Sequence, residues 1–164
     1  MKVDVEERAA LARKAFEEGY NCSQAVVSAY ADVTGLDAET LLSLVAPLGG
    51  GMGRLREVCG AVSGMFMISG MARKGESNRD RAVRTEVYKG VQQLAEEYRR
   101  ECGSIVCREL LGLKQHSDAP VPEERTASYY RRRPCAEYVA VAARMVGEYL
   151  NRCSGEQTGA CDCL

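Results

Sequence analysis

Val83, Val87, Val91, Leu94 and Tyr98 recur at intervals of three and four residues, the spacing that lines one face of an α-helix and not the alternation of a half-buried strand. The rest of the chain has room for the same structure. Only four prolines occur, at Pro47, Pro120, Pro122 and Pro134, and the segments between them are rich in Ala, Leu, Val, Glu and Arg, the residues that cost least in a helix. The expected fold class is all-α, a single-domain bundle of about six or seven helices. With 164 residues the chain is long enough to bury one self-sufficient core.

Start and stop signals place the helices. Asp4 with Glu7 forms a capping-box-like start, Leu11, Ala15 and Phe16 share a face, and Gly19 is a stop, predicting a helix over roughly residues 5–18. Asn21 is an N-cap with Gln24 at the third helical position, and Ala25, Val26, Ala29, Tyr30 and Val33 follow before Gly35. A shorter helix runs from Asp37 through Leu41, Leu42, Leu44 and Val45 to Pro47, followed by a flexible glycine loop at Gly49, Gly50, Gly51 and Gly53. A buried, glycine-rich central helix is expected at about residues 56–72, where Gly60 and Gly64 lie one turn apart and admit a neighbouring backbone. The long helix through Val83 to Tyr98 comes next.

Ser104 is read as the cap of a short helix ending at Gly112, and Leu113 to Arg133 as an irregular loop carrying Pro120 and Pro122. Pro134 suits the first position of a last helix whose apolar face is Tyr138, Val139, Ala142, Met145, Val146 and Tyr149. The expected division is a helical cysteine domain over residues 1–152 and a mobile cysteine-containing tail over residues 153–164.

Charge removes one class of function. Lys plus Arg total 22 against 23 Asp plus Glu, a net charge of −1, so the basic field of non-specific nucleic-acid binding is missing and no nucleic-acid partner is expected. The N-terminus is charged from Lys2 onward and has no apolar core of a secretory signal. The longest uncharged stretch, Val58 to Ala72, is too short to span a bilayer. The expectation is a cytoplasmic protein without membrane insertion, in a reducing compartment where cysteine clusters mean metal or redox chemistry more often than structural bridges.

The chain has eight cysteines. Cys22 follows the cap Asn21, Cys59 lies near the start of the glycine-rich helix, Cys107 follows Ser104 by three residues and Cys135 follows Pro134. All four fall in first turns of expected helices, where free amide donors and the helix dipole favour the thiolate. Their separations are far wider than a CxxC motif, so a shared site must be assembled in three dimensions, as one dithiol pair, two pairs, or a four-thiolate metal or iron–sulfur centre. Set against these is the plain reading of each cysteine as a small buried hydrophobe.

The strings FEEGYNCSQAV, GGGMGRLREVCGAVSG, CRELLG and CAEYV resemble the bacterial and archaeal family of redox-active proteins defined by a CGAxxG motif and four cysteines (C_GCAxxG_C_C), over roughly Phe16 to Tyr149. The resemblance implies a helical fold, a role in electron or thiol redox chemistry, and Cys22, Cys59, Cys107 and Cys135 as the functional set, whether catalytic, cofactor-binding or metal-ligating. Members are often encoded near transporter genes, and related domains occur in some cluster- or haem-containing redox proteins. No CxxCH is present, so no covalent c-type haem is expected.

The leading expectation is therefore dithiol/disulfide exchange, with Cys22 or Cys59 as attacking thiolate, or electron transfer by an iron–sulfur cluster on the four cysteines. An enzymatic version would be a thiol–disulfide or electron-transfer oxidoreductase. The alternative is a non-catalytic protein that binds zinc or copper through the same thiolates and serves a transporter, and a third reading is a helical module with inert thiols. The partner is an unidentified redox or transporter-associated protein, and a homo-oligomer is admissible. Cys102, Cys153, Cys161 and Cys163 lie outside the family pattern, the last two as a CxC after Cys153 that could resolve a disulfide, donate a metal or have no role at all.

Other residues attract weaker readings. His116 is the single histidine, read as a solvated loop residue before a nucleophile's partner. Arg131, Arg132 and Arg133 run into Cys135 and could lower its pKa or receive an anion. No Lys-Ser or Lys-Thr follows the glycine run, so a phosphate-binding P-loop is excluded and the run is read as a close approach to a cysteine site. Met65, Met67 and Met71 are read as core filling.

Overall fold

A computed structural model describes residues 2–156. Among them there are nine α-helices and no strand: α1 (Val5–Glu17), α2 (Cys22–Ser28), α3 (Ala31–Thr34), α4 (Ala38–Val45), α5 (Gly60–Ser69), α6 (Arg81–Cys102), α7 (Cys107–Leu110), α8 (Ala127–Arg132) and α9 (Cys135–Glu156). The all-α, single-domain expectation holds. Six of the nine have seven or more residues, and the extra short helices are those that a periodic pattern is too brief to reveal.

The centre is formed by α2, α5 and α9, each packed against the other two, with α1 laid along α9 and α2. α5 is buried on nearly every side: Ala61, Val62 and Met65 are fully enclosed, and Gly60 and Gly64 are also buried. The glycines are what allow this. A Cβ on Gly64 would lie 3.1 Å from the Ser23 carbonyl and from Val26 Cβ, and one on Gly60 would lie 3.0 Å from the Leu48 carbonyl. α2 and α5 therefore cross at backbone distance.

The capping signals worked as read for α1, α2 and α4. Asp4 Oδ1 accepts from Glu7 N, Asp37 Oδ1 from Thr40 N, and Asn21 with Gln24 forms a reciprocal capping box. The expected second helix is broken, however, into α2 and α3 at Ala29–Tyr30. Tyr30 leaves helical geometry there, and its fully buried ring reaches α9, where the hydroxyl donates to the Ala143 carbonyl at 2.7 Å.

Three other boundaries differ for identifiable reasons. The central helix begins at Gly60 and not at 56, because Val58 pairs with Val106 in an isolated antiparallel bridge and Arg56 has a left-handed backbone. For the same reason Ser104 does not cap α7: residues 105–107 must be extended to pair, Val106 is the N-cap, and Ser104 Oγ accepts from Val106 N instead. The stretch read as an irregular loop from Leu113 to Arg133 contains α8, capped by Thr126 through Tyr129 N.

The last helix continues past residue 153 to Glu156, so Cys153 lies on α9; Cys161, Cys163 and the rest of the expected tail lie outside the described residues. Among the described residues no helix is long and apolar enough to cross a membrane.

Candidate functional site

Cys22, Cys59, Cys107 and Cys135 open α2, α5, α7 and α9: Cys59 is the N-cap of its helix and the other three are first residues. The bundle brings these four helix starts to one cavity of about 230 Å³, which all four cysteines line. Cys59, Cys107 and Cys135 are almost fully enclosed, and Cys22 keeps some accessible surface.

Two local structures create the convergence. The first is the bridge between Val58 and Val106, in which Cys59 N donates to the Ile105 carbonyl at 2.8 Å and Cys107 N to the Glu57 carbonyl at 2.6 Å. It puts Cys59 and Cys107 on the same face of the bridge, diagonally across it, with Cys59 opposite Ile105 and Cys107 opposite Glu57. The second is the glycine run, which is an ordered turn and not a flexible loop: Gly50, Gly51, Met52, Gly53 and Arg54 all have φ between 60° and 70°, and Gly53 N closes the turn on the Gly49 carbonyl at 2.9 Å.

Such a left-handed turn is strained for any residue with a Cβ, by about 1–2 kcal/mol each for Met52 and Arg54. Its close approach is what the glycines were expected to provide: a Cβ on Gly51 would lie 2.6 Å from Cys107 Cβ and 3.0 Å from Arg56 Cα.

Helix starts do not make four thiolates. The N–H groups of Ala61 and Val62 favour the charged form of Cys59, as the helix-start argument requires, yet burial outweighs them and holds its pKa at about 12. Burial likewise raises Cys107 against the opposing pull of Arg56. Cys22 is raised well above the ordinary thiol value by its hydrogen bond to Cys135 and then by burial. Cys135 alone moves down, because Cys22 donates to it and because Arg133, Arg125 and Arg56 face it. The sequence points to Cys22 or Cys59 as attacking thiolate; the surroundings in the fold favour the charged form at Cys135 and disfavour it at Cys59.

The cations were only partly visible in sequence. Of the run before Cys135, Arg133 lines the cavity and pairs with Glu123, whereas Arg131 and Arg132 are exposed. Arg56, which the sequence did not mark, is 3% exposed; its Nη1 lies 3.6 Å from Cys107 Sγ and its Nε donates to Asp118 at 2.7 Å. Arg54 reaches the same carboxylate and donates through Nε to the Ala119 carbonyl. Arg125 is held by stacking on Phe16 and Tyr129, with its guanidinium carbon 4.4 and 4.7 Å from the ring centroids. The position of Arg56 three residues before Cys59 was the available signal; for Arg125 and Asp118, in the long loop, there was none.

The remaining candidates lie elsewhere. Cys102 ends α6 beside Tyr98, Cys153 is on α9 beside Tyr149, and neither lines the cavity. His116 is exposed and is not part of the lining. Met65 fills the core and Met71 packs against it, but Met67 is 44% exposed. Among the described residues no group of three or more His, Cys, Asp or Glu side chains stands close enough to hold a metal ion.

No curated protein and no solved structure matches the chain. The family model described as "Putative redox-active protein (C_GCAxxG_C_C)" matches residues 20–149. That span holds all four cavity cysteines, with the motif standing here as Cys59-Gly60-Ala61-Val62-Ser63-Gly64, and the chain belongs to this family.

Proposed function

We propose that the protein performs thiol–disulfide exchange, with Cys135 as the attacking thiolate and Cys22 as the resolving thiol. The observation that carries this reading is that these two side chains open α2 and α9 into one cavity, where each is the leading influence on the other's titration. A dithiol needs a nucleophile favoured as thiolate and a second thiol in reach of it, and the electrostatics of this pair support that division.

Cys135 Sγ attacks one sulfur of a disulfide RSSR, forming a Cys135–SR bond as the RS–SR bond breaks and one RS⁻ departs. Cys22 then loses its proton and attacks Cys135 Sγ, forming the Cys22–Cys135 disulfide and expelling the second RS⁻. Two electrons pass from the protein to RSSR; the Cys22 proton goes to one departing RS⁻, and the other takes from solvent the proton that Cys135 released on becoming a thiolate. The reverse sequence reduces the protein.

The test is peptide mass spectrometry after mild oxidation with a small neutral disulfide. Cys22 linked to Cys135 is expected, and Cys22→Ser should stall as a mixed disulfide on Cys135. Oxidation that leaves these two cysteines unlinked would sink the assignment.

The metal reading rests on the same convergence of four thiols and would require them to move closer than they stand. Iron and acid-labile sulfide in anaerobically purified protein, lost in Cys59→Ser, would favour the cluster over dithiol exchange; stoichiometric zinc or copper without a reversible change in free thiols would favour metal handling.

A further inference from the structure

The cavity has more positive charge than its ion pairs consume. Four guanidinium groups line it or reach it, those of Arg54, Arg56, Arg125 and Arg133. Asp118 serves both Arg54 and Arg56, and Glu123 serves Arg133. Two carboxylates therefore face four cations, and a Cys135 thiolate accounts for one of the two charges in excess.

Arg125 is where the other remains. It makes no ion pair among the described residues, its Nη2 donates only to the Tyr20 carbonyl at 3.3 Å, and its Nη1 is buried with no hydrogen-bond partner. A buried donor without a partner loses its hydration with nothing in return, which native structures rarely tolerate without a use for the group. Stacking on Phe16 and Tyr129 fixes the guanidinium without using its donors. The group is held in place and left unsatisfied, which is the form of an anion receptor.

Size and lining narrow the ligand. At about 230 Å³ the cavity is below the ~300–1,000 Å³ that accepts drug-sized molecules. Besides the cysteines and arginines it presents apolar surface from Leu110, Leu111 and Pro122.

We infer that the cavity binds a small disulfide or thiol carrying a carboxylate or similar oxyanion, with Arg125 as the residue that receives the anionic group while the ligand's sulfur meets Cys135. This rests on the dithiol reading and adds to it a substrate class. The charge that the ligand brings completes the balance that the protein leaves open, and a neutral or cationic disulfide of the same length gains nothing from Arg125.

The experiment compares three disulfides in the Cys22→Ser protein: 3,3′-dithiodipropionate (anionic), bis(2-hydroxyethyl) disulfide (neutral) and cystamine (cationic). The readout is the rate of adduct formation on Cys135 by mass spectrometry, each rate divided by that of the same disulfide with free dithiothreitol. The anionic disulfide should lead the neutral one by about tenfold at low ionic strength, with cystamine slowest, and added salt should narrow the gap.

Arg125→Gln should bring the anionic-to-neutral ratio close to one, and Arg125→Lys should keep part of it. Because the ratio is taken within one variant, any change in Cys135 nucleophilicity cancels. Should Arg125→Gln fail to keep its helical circular dichroism, the ratio in the parent Cys22→Ser protein and its salt dependence still decide. Equal normalised rates for all three disulfides, with the wild-type chain still forming the Cys22–Cys135 link, would overturn the substrate class and leave dithiol exchange standing. No adduct on Cys135 from any of them, in folded protein, would overturn both.

Discussion

Arg56 places Nη1 3.6 Å from Cys107 Sγ while its Nε and Nη2 hold Asp118. One guanidinium thus joins a buried thiol, a carboxylate from the long loop and a backbone segment in left-handed geometry, and it is 3% exposed where it does so. The site and the loop that roofs it are coupled through this residue.

Replacing Arg56 by Met leaves Asp118 with only Arg54 as a cationic partner. Removing one member of a buried pair typically costs about 3–5 kcal/mol, and because Asp118 retains some solvent contact a smaller loss, about 2–3 kcal/mol, is expected here. The midpoint of urea unfolding measures it. An unchanged midpoint would show that the pair does not anchor the loop.

Asp118 is held below the usual carboxylate range, first by Gln115 and then by Arg56. A depressed folded-state pKa adds stability above the unfolded value, near ~3.9, and the contribution disappears as pH falls through the folded pKa. The stability gap between wild type and Asp118→Asn should therefore be widest near neutrality and close below about pH 4. Urea midpoints across that range give the answer, and a gap that persists into acid would assign the effect to packing.

Cysteine reactivity should follow the local electrostatics. The Cys22 thiol and then Arg133, Arg125 and Arg56 favour the Cys135 thiolate, whereas burial holds Cys59 at about 12. With iodoacetamide near pH 7, Cys135 is expected to label before Cys59 and Cys107, its rate levelling off below the ordinary thiol range. Peptide mapping over time and pH reads both. Earlier labelling of Cys59 would contradict the electrostatic picture.

The glycines of α5 should not be interchangeable with others. Gly60→Ala and Gly64→Ala force backbone or Cβ contacts at 3.0–3.2 Å between α5 and its neighbours, for an expected loss of about 1–3 kcal/mol each by overpacking. A Cβ added at Gly70 would meet nothing within 4 Å, and the backbone there is ordinary helix, so Gly70→Ala should be neutral or stabilise by about 0.4–1 kcal/mol. Thermal midpoints of the three variants separate the cases, and equal effects would rule out close packing as the cause.

How much of this was legible in the sequence depended on range. Asn21 with Gln24, Asp4 with Glu7 and the spacing from Val83 to Tyr98 carry their own local physics: the first and the long helix formed as read, and the second started where its cap placed it before the distant contact of Tyr30 with α9 broke it. Placement of the four cysteines at helix starts was likewise local. The states of those thiols were not, because the burial that overrules the helix start at Cys59 is supplied by segments distant in the chain. The bridge between Val58 and Val106 was unreadable for the same reason: a single pair leaves no alternation, yet it displaced the starts of both α5 and α7. Arg125 lay in a stretch whose prolines suggested only irregularity, and it took Phe16, over a hundred residues earlier, to hold it.

The contact of Cys22 with Cys135 has a topological consequence. The two residues open helices near opposite ends of the described chain, over a hundred residues apart, so a bond between them would close most of the polypeptide into a ring. Confining an unfolded chain of that length costs it about 4.7 kcal/mol of conformational freedom. By thermodynamic linkage the same energy, about 100 mV for two electrons, would separate the potential of this thiol pair in the folded protein from that in the unfolded chain. In this architecture electron affinity and resistance to unfolding become a single quantity, measurable from either side.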